Sequence, residues 1–377
     1  MIDIKSLNLK ELTDYITSLN EKSFRAGQIY EWLHSKHVSN FDEMSNISKS
    51  LRDVLKKDAA ISEVRIFQEF ISGEDETRKY LLELDDGNII ESVLMRYEYG
   101  LSLCISSQVG CRMGCRFCAS TIDGLVRNLT AGEMLDEIFC IQNHIGERIS
   151  HVVIMGSGEP LDNFDNLVRF IEMTDISHRN ITVSTCGIVP RIYELADKHT
   201  QVTLALSLHA PTDDLRKTIM PVANLYSISE LMDACRYYFD KTGRRMTFEY
   251  SLIADINDTE ECAIKLAKSL PDDVRKNMNF NLDGTLTPTK LEDEFKMSKS
   301  LAQRLVDSLG YETIDANYVM QSFDKDGNVA STKTIELPKG GSRQSVGGEA
   351  YRRAIISETR KLFAMGRLSK VKINTLS

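Results

Sequence analysis

Apolar positions follow two regimes along the chain. Up to about residue 65 they recur at helical spacing. Leu9, Leu12, Ile16 and Leu19 form one such set, and Ile29, Tyr30, Trp32 and Leu33 form a second. A third run starts at Ile47 and continues through Leu51 into Val54 and Leu55. Residues 64–70, 77–84 and 89–94 then read as strands, the last two joined by the turn Asp85-Asp86-Gly87-Asn88. From about residue 101, strands alternate with helical runs. Leu101–Ser106, His151–Met155, Asn180–Ser184, Val202–Leu208, Met246–Leu252 and Met278–Leu282 are the strands. Ala131–His144, Phe164–Met173, Arg191–Asp197, Ile228–Lys241 and Glu260–Ser269 are the helices. Alternation of this kind predicts an α/β fold with right-handed crossovers and a parallel sheet. Six strands fit either an open doubly wound sheet or a partial barrel. The organisation expected is a helical domain over 1–65, a small β linker over 66–100, the α/β core over 101–310 and a C-terminal extension over 311–377. A turn at Asp324-Lys325-Asp326-Gly327 and a basic helix near Tyr351–Met365 belong to that extension.

Composition narrows the function classes. At 377 residues and 42% hydrophobic content the chain is long enough for a sizeable core. No apolar stretch is long enough for a membrane span, and the start of the chain has no signal-peptide pattern. A cytoplasmic, reducing location is therefore expected, where eight cysteines serve metal binding, catalysis or packing rather than disulfides. The net charge of −9 excludes a chain-wide basic field. Residues 339–377 nevertheless hold nine Lys/Arg against two Asp/Glu, a local +7 able to contact phosphate.

The chemistry concentrates just after the first strand of the alternating region. Cys111, Cys115 and Cys118 lie at C-x3-C-x2-C spacing. Gaps that short let three thiolates from one loop converge on a single point. A [4Fe–4S] cluster held by three thiolates keeps one iron open to an outside ligand. Structural zinc needs a fourth ligand nearby, and the loop contains no histidine. A set of merely buried cysteines is the third possibility. Position at the C-terminal end of a strand, where βα folds place their sites, favours the cluster.

C-x3-C-x2-C on such a loop is the signature of radical SAM enzymes, and the surrounding residues resemble the RlmN/Cfr family of RNA adenosine methyltransferases. The segments that carry the resemblance are Leu103 to Cys111, Phe24 to Trp32, Thr77 to Leu81, Asp86-Gly87-Asn88 with Ile90 to Val93, and Ser207 to Ala210. They span roughly residues 20–275. The resemblance implies a partial (β/α)6 radical SAM barrel with a helical N-terminal domain and a C-terminal extension. It implies a [4Fe–4S] cluster on Cys111, Cys115 and Cys118, whose open iron takes the amino and carboxylate groups of S-adenosyl-L-methionine (SAM). Gly158 and Glu159, within Gly156-Ser157-Gly158-Glu159-Pro160, are similar to the family's cofactor-binding segment, with Ser157 in place of its methionine. Ser184, and Ser207, Leu208 and His209, match further cofactor positions. Glu91 matches the family's general base and Cys104 its second mechanistic cysteine. RNA (rRNA or tRNA) or a nucleotide-type small molecule is the substrate implied, with flavodoxin or ferredoxin as electron donor.

Two departures set this chain apart. Methylating members carry a cysteine near the C-terminus that receives a methyl group and relays it to adenine. Here the last cysteine is Cys262, and Val346 stands at the nearest local counterpart, Ser345-Val346-Gly347-Gly348. Near residue 280 the family's Asn-Leu-Ile-Pro-x-Asn-Pro stretch is replaced by Asn279 to Thr285, with Gly284 where its second asparagine falls. Because the whole C-terminal third departs, the expectation is a paralogue that generates the radical without the cysteine relay. An ordinary C2-adenosine methyltransferase and a non-catalytic RNA-binding protein with a relict cluster are the alternatives.

Overall fold

The computed structural model describes residues 1–73, 75–259, 261–262, 265–266, 317–323, 329–336 and 371–375. Met278–Leu282, Asn279–Thr285, Asp324–Gly327, Ser345–Gly348, the basic helix near 351–365 and residues 260, 263–264 and 267–269 lie outside the described residues. The chain divides into two compact units. Met1–Ala205 with Ile219–Arg244 make the first, and the second comprises Leu206–Thr218 and the residues from Arg245 onward.

The first unit opens with a short strand β1 (Ile2–Asp3), then helices α1 (Leu9–Ser18), α2 (Phe24–His34) and α3 (Lys49–Asp58), and β2 (Ala59–Ala60), which pairs parallel with β1. Asn8 caps α1 in a reciprocal box with Glu11. Leu12, Ile16, Ile29, Leu33, Leu51 and Leu55 form the buried core of these helices, as the periodicity predicts. A buried ion pair fastens this module to the rest of the unit: Lys5 Nζ lies 2.7 Å from Asp136 Oδ1 and donates to Ser62 O at 2.6 Å.

Next come β3 (Val64–Ile71), β4 (Arg78–Leu84), β5 (Ile89–Tyr97) and β6 (Gly100–Ile105), successive antiparallel neighbours. The loop region after β6 carries a two-stranded ribbon of β7 (Gln108–Gly110) and β8 (Leu125–Asn128). Crossover helices then alternate with strands: α4 (Ala131–Ile145), β9 (Ile149–Ile154), α5 (Phe164–Met173), β10 (Ile181–Thr185), α6 (Val189–Asp197) and β11 (Thr203–Ser207). The sheet of this unit runs in the order β11-β10-β9-β6-β5-β4-β3, with β6, β9 and β10 parallel. The 66–100 segment is therefore no separate linker at the level of hydrogen bonding: β5 pairs directly with β6 and extends the parallel sheet. This continuity was hidden in sequence because alternation marks a strand but not its neighbour.

In the second unit, α7 (Asp213–Ile219, ending in the first unit) follows β11, and α8 (Ile228–Thr242) returns the chain through the first unit. β12 (Met246–Tyr250) pairs antiparallel with a late strand, from Met246↔Thr375 to Tyr250↔Val371. β13 (Asn317–Phe323) and β14 (Val329–Glu336) pair antiparallel. The late strand is β15 (Val371–Thr375). The fold is α/β with a helical N-terminal region, and five of the six anticipated core strands, β6, β9, β10, β11 and β12, fall among the described residues. Among those residues no helix is long and apolar enough to cross a membrane.

Candidate iron–sulfur and cofactor site

The cysteine loop is held by backbone. β7 and β8 pair beneath it, and Cys111 N–H donates to Gly124 O at 2.9 Å. Gly110 has φ +73°, and a Cβ there would strike Gly124 O, so no other residue closes this ribbon without moving it. Cys118 N–H donates to Cys115 O, and the Thr121 hydroxyl donates to the carbonyls of both. Arg116 N–H donates to Ile219 O at 2.9 Å, anchoring the far side of the loop. Cys111 and Cys115 are buried and Cys118 is half-buried; none is in a disulfide.

These thiols fit a cluster. Burial pushes the Cys111 thiol up to about 11, against an opposing contribution from the Met113 N–H. A thiol this reluctant to ionise becomes a thiolate when metal takes the proton's place. Among the described residues no three His, Cys, Asp or Glu side chains gather as ligands of one metal ion.

The Gly156–Pro160 segment lies against the start of the same loop. Gly156 N–H donates to Ile105 O at 2.9 Å, and Ser157 N–H donates to Ser106 Oγ at 3.0 Å. In return Ser107 and Gln108 N–H donate to Ser157 O at 2.8 and 3.1 Å. A Cβ on Gly156 would sit 2.7 Å from both Ile105 O and Ser106 Oγ. Glu159 N–H donates to Gln108 Oε1 at 2.8 Å. The Glu159 carboxylate is buried and already employed: Oε2 accepts from Cys186 N–H at 2.7 Å and Oε1 from Leu161 N–H at 3.0 Å. Burial raises its pKa against those N–H groups. Ser184 is buried on β10, two residues before Cys186.

Glu91 and Cys104 lie on adjacent strands leading to this region. Cys104 is half-buried, opposite Val93 of β5 and Val153 of β9. The Glu91 side chain is exposed and pairs with Lys79 Nζ at 2.6 Å. Its carbonyl accepts the Ser106 hydroxyl at 2.8 Å.

Three residues assigned no role from sequence organise the site. Ser106 links Glu91 O, Ser157 N–H and, through its own N–H at 3.0 Å, Glu137 Oε2. Glu137, fully buried on α4, also accepts the Ser92 hydroxyl at 2.5 Å, and burial holds it well above the usual carboxylate range. Gln108 joins Glu159 to Asn128 and Asp162. The available signal was polar Ser-Ser-Gln continuing a buried strand; mid-helix Glu137 gave none.

Within the second unit, Ser207, Leu208 and His209 close β11. Leu208 and His209 N–H donate to Glu249 O, and buried Arg216 donates to the carbonyls of Ser207 and Leu208 at 3.1 Å. His209 has φ +54°, its Nδ1 accepts from Ser251 N–H at 2.9 Å, and its carbonyl accepts from Asn257 at 2.6 Å. The neutral ring consequently carries its proton on Nε2.

Residues 2–61 match the family model of the ribosomal RNA large subunit methyltransferase N-terminal domain, and residues 105–267 match that of the radical SAM superfamily. The chain is 56% identical over 292 residues to a probable dual-specificity RNA methyltransferase RlmN of Lachnospira eligens, covering 75% of this chain and 81% of that one. To its namesake in Clostridium perfringens (strain 13) it is 53% identical over 304 residues, 79% of this chain and 86% of the relative. A crystal structure of a radical SAM methyltransferase from Sphaerobacter thermophilus superposes with a TM-score of 0.67 at 39% identity, over 72% of this chain and 82% of that one.

Proposed function

The chain belongs to the RlmN family of radical SAM enzymes, and from that premise we propose that it acts on an adenine of RNA by reductive cleavage of SAM without a cysteine methyl relay. The observation that carries the proposal is the missing thiol: after Cys262 the sequence holds no cysteine, and a relay needs a thiolate as nucleophile. When bound, the [4Fe–4S] cluster and SAM supply one-electron cleavage of the sulfonium to a 5′-deoxyadenosyl radical.

The protein's share is placement. Cys111, Cys115 and Cys118 would hold the cluster on a loop framed by the β7–β8 ribbon. The backbone of Gly156–Gly158 is fixed by Ser106, Ser107 and Gln108, and the resemblance implies that this segment takes the methionine ammonium. Glu159 is a positioning residue, since its oxygens already tie the β9 and β10 loops together. Cofactor contacts are what the resemblance implies for Ser184 in the first unit and, taken by themselves, for Ser207, Leu208 and His209 in the second. Glu91, whose carboxylate pairs with Lys79 Nζ, removes a proton from the substrate-derived intermediate. With no cysteine after Cys262 to carry the methyl group, the resolving role that the resemblance gives Cys104 is not used. The substrate assignment rests on the N-terminal domain matched at residues 2–61 and on the RNA named for the relatives.

The relatives' printed name favours a second reading, RNA methylation by an ordinary route. Anaerobic incubation of reconstituted, dithionite-reduced protein with SAM and total RNA separates the two. The account expects 5′-deoxyadenosine and no methylated cysteine; stoichiometric S-adenosylhomocysteine would favour methylation.

A further inference from the structure

We propose that Glu137 is a positioning residue: acting through Ser92 and Ser106, it sets where Glu91 stands relative to the Gly156–Gly158 segment. The proposal rests on reading Glu91 as the base and that segment as part of the cofactor site. β5 and β6 pair from Tyr97↔Gly100 as far as Val93↔Cys104. Continued by two residues, the same register sets Glu91 against Ser106. There the ladder gives way to side chains, and the Ser106 hydroxyl donates to Glu91 O at 2.8 Å. The same hydroxyl accepts from Ser157 N–H at 3.0 Å, so one oxygen joins the strand of the base to the cofactor segment. Glu137 Oε2 holds both sides of this junction. It accepts from Ser106 N–H at 3.0 Å and from the hydroxyl of Ser92, the residue after Glu91, at 2.5 Å. All of these residues belong to the first unit.

Two features separate this carboxyl from an ordinary packing residue. Glu137 is wholly buried, and so are Met134 and Ile141, one turn before and after it on α4. Burying a polar group there carries a cost that an apolar side chain would avoid, offset by the bonds to Ser92 and Ser106. In addition, both donors converge on Oε2, while Oε1 has no hydrogen-bond partner among the described residues. The junction therefore depends on a single acceptor atom. Burial holds the carboxyl well above the usual carboxylate range. A neutral glutamine with its oxygen in the place of Oε2 can therefore serve, and a leucine cannot. Lys79 is no substitute, because its pair with Glu91 is exposed and orients the side chain alone.

The test uses the reconstituted holoenzyme and the variants Glu137→Leu, Glu137→Gln, Ser92→Ala and Glu91→Gln. Amide exchange is read by mass spectrometry with fragmentation that resolves Ser106 and Ser157. In Glu137→Leu both amides should exchange roughly five- to tenfold faster, the scale of one lost hydrogen bond. That includes Ser157, whose bond goes to Ser106 and not to Glu137. Met134 to Ile141 should keep their protection, and Glu137→Gln should exchange like the wild type. Ser92→Ala leaves α4 intact and should loosen the same two amides to a smaller degree, which decides the matter if Glu137→Leu does not fold. With dithionite, SAM and RNA, altered adenosine per 5′-deoxyadenosine should fall about tenfold in Glu137→Leu and largely recover in Glu137→Gln. Faster exchange at Ser106 alone, or equally faster exchange along all of α4, would overturn the proposal. So would a Glu137→Gln variant as loose as Glu137→Leu. If Glu91→Gln leaves the product ratio unchanged, the reading of Glu91 as the base fails, and the exchange arm still decides whether Glu137 joins the two segments.

Discussion

The N-terminal helices and the cysteine loop are stabilised by opposite means. The helices bury a continuous apolar core, Leu12 and Leu55 being wholly inaccessible. The loop has little core of its own. Its shape comes from a two-stranded ribbon, from N–H groups of Cys111, Arg116 and Cys118 donating to backbone carbonyls, and from Gly110, where no Cβ fits. Packing tolerates conservative exchange and spreads its cost; a hydrogen-bonded frame fixes positions and fails locally. A cluster ligand set needs the second kind of support.

The comparison predicts different failures. Cys115→Ala should give the largest effect, complete loss of the cluster's visible absorbance and iron, with unfolding of the helices unchanged by circular dichroism. Full iron retention would show that this loop is not the ligand set. Leu12→Ala should do the reverse. It should cost about 2–5 kcal/mol of stability in chemical unfolding, and the protein that remains folded should keep its iron. Gly156→Ala lies between: forcing a methyl against Ile105 O and Ser106 Oγ should cost about 1–3 kcal/mol and weaken SAM binding by calorimetry more than it weakens iron retention.

The smallest effect concerns pH. Arg127 holds the Asp86 carboxyl down to about 2 from its ordinary 3.8. A group depressed on folding stabilises above its unfolded pKa, and that contribution fades as pH falls from about 4 towards 2. Asp86→Asn should therefore narrow the stability difference between pH 5 and pH 2.5, measured by urea midpoints. Because both side chains are partly exposed, the change should be well under the cost of Leu12→Ala.

The same contrast explains what the sequence made legible. Helical spacing marked α1, α2 and α3 because burial writes a period into the chain. Alternation marked β6, β9, β10, β11 and β12 to within two residues at most ends, and Phe164–Met173 was read without error. The cysteine triplet was legible because ligand spacing is itself a pattern. The ribbon of β7 and β8 was missed: strands of three and four residues leave no periodicity. Short α7 was missed for the same reason. The Ser106–Glu137 hub was invisible because it joins residues 31 apart in the chain, and a glutamate in a helix ordinarily faces solvent. That Glu159, expected at the cofactor, also ties two loops together by accepting from Cys186 and Leu161 N–H was not legible in the sequence.

The central claim is radical generation without a cysteine relay, and one measurement bears on it most directly. Reconstituted protein is reduced anaerobically, incubated with methyl-labelled SAM and RNA, and then divided for nucleoside chromatography and peptide mass spectrometry. The account predicts 5′-deoxyadenosine, dependent on Cys111, Cys115 and Cys118, with no label on any of the eight cysteines. A methylated cysteine on any peptide, accompanied by stoichiometric S-adenosylhomocysteine, would contradict it.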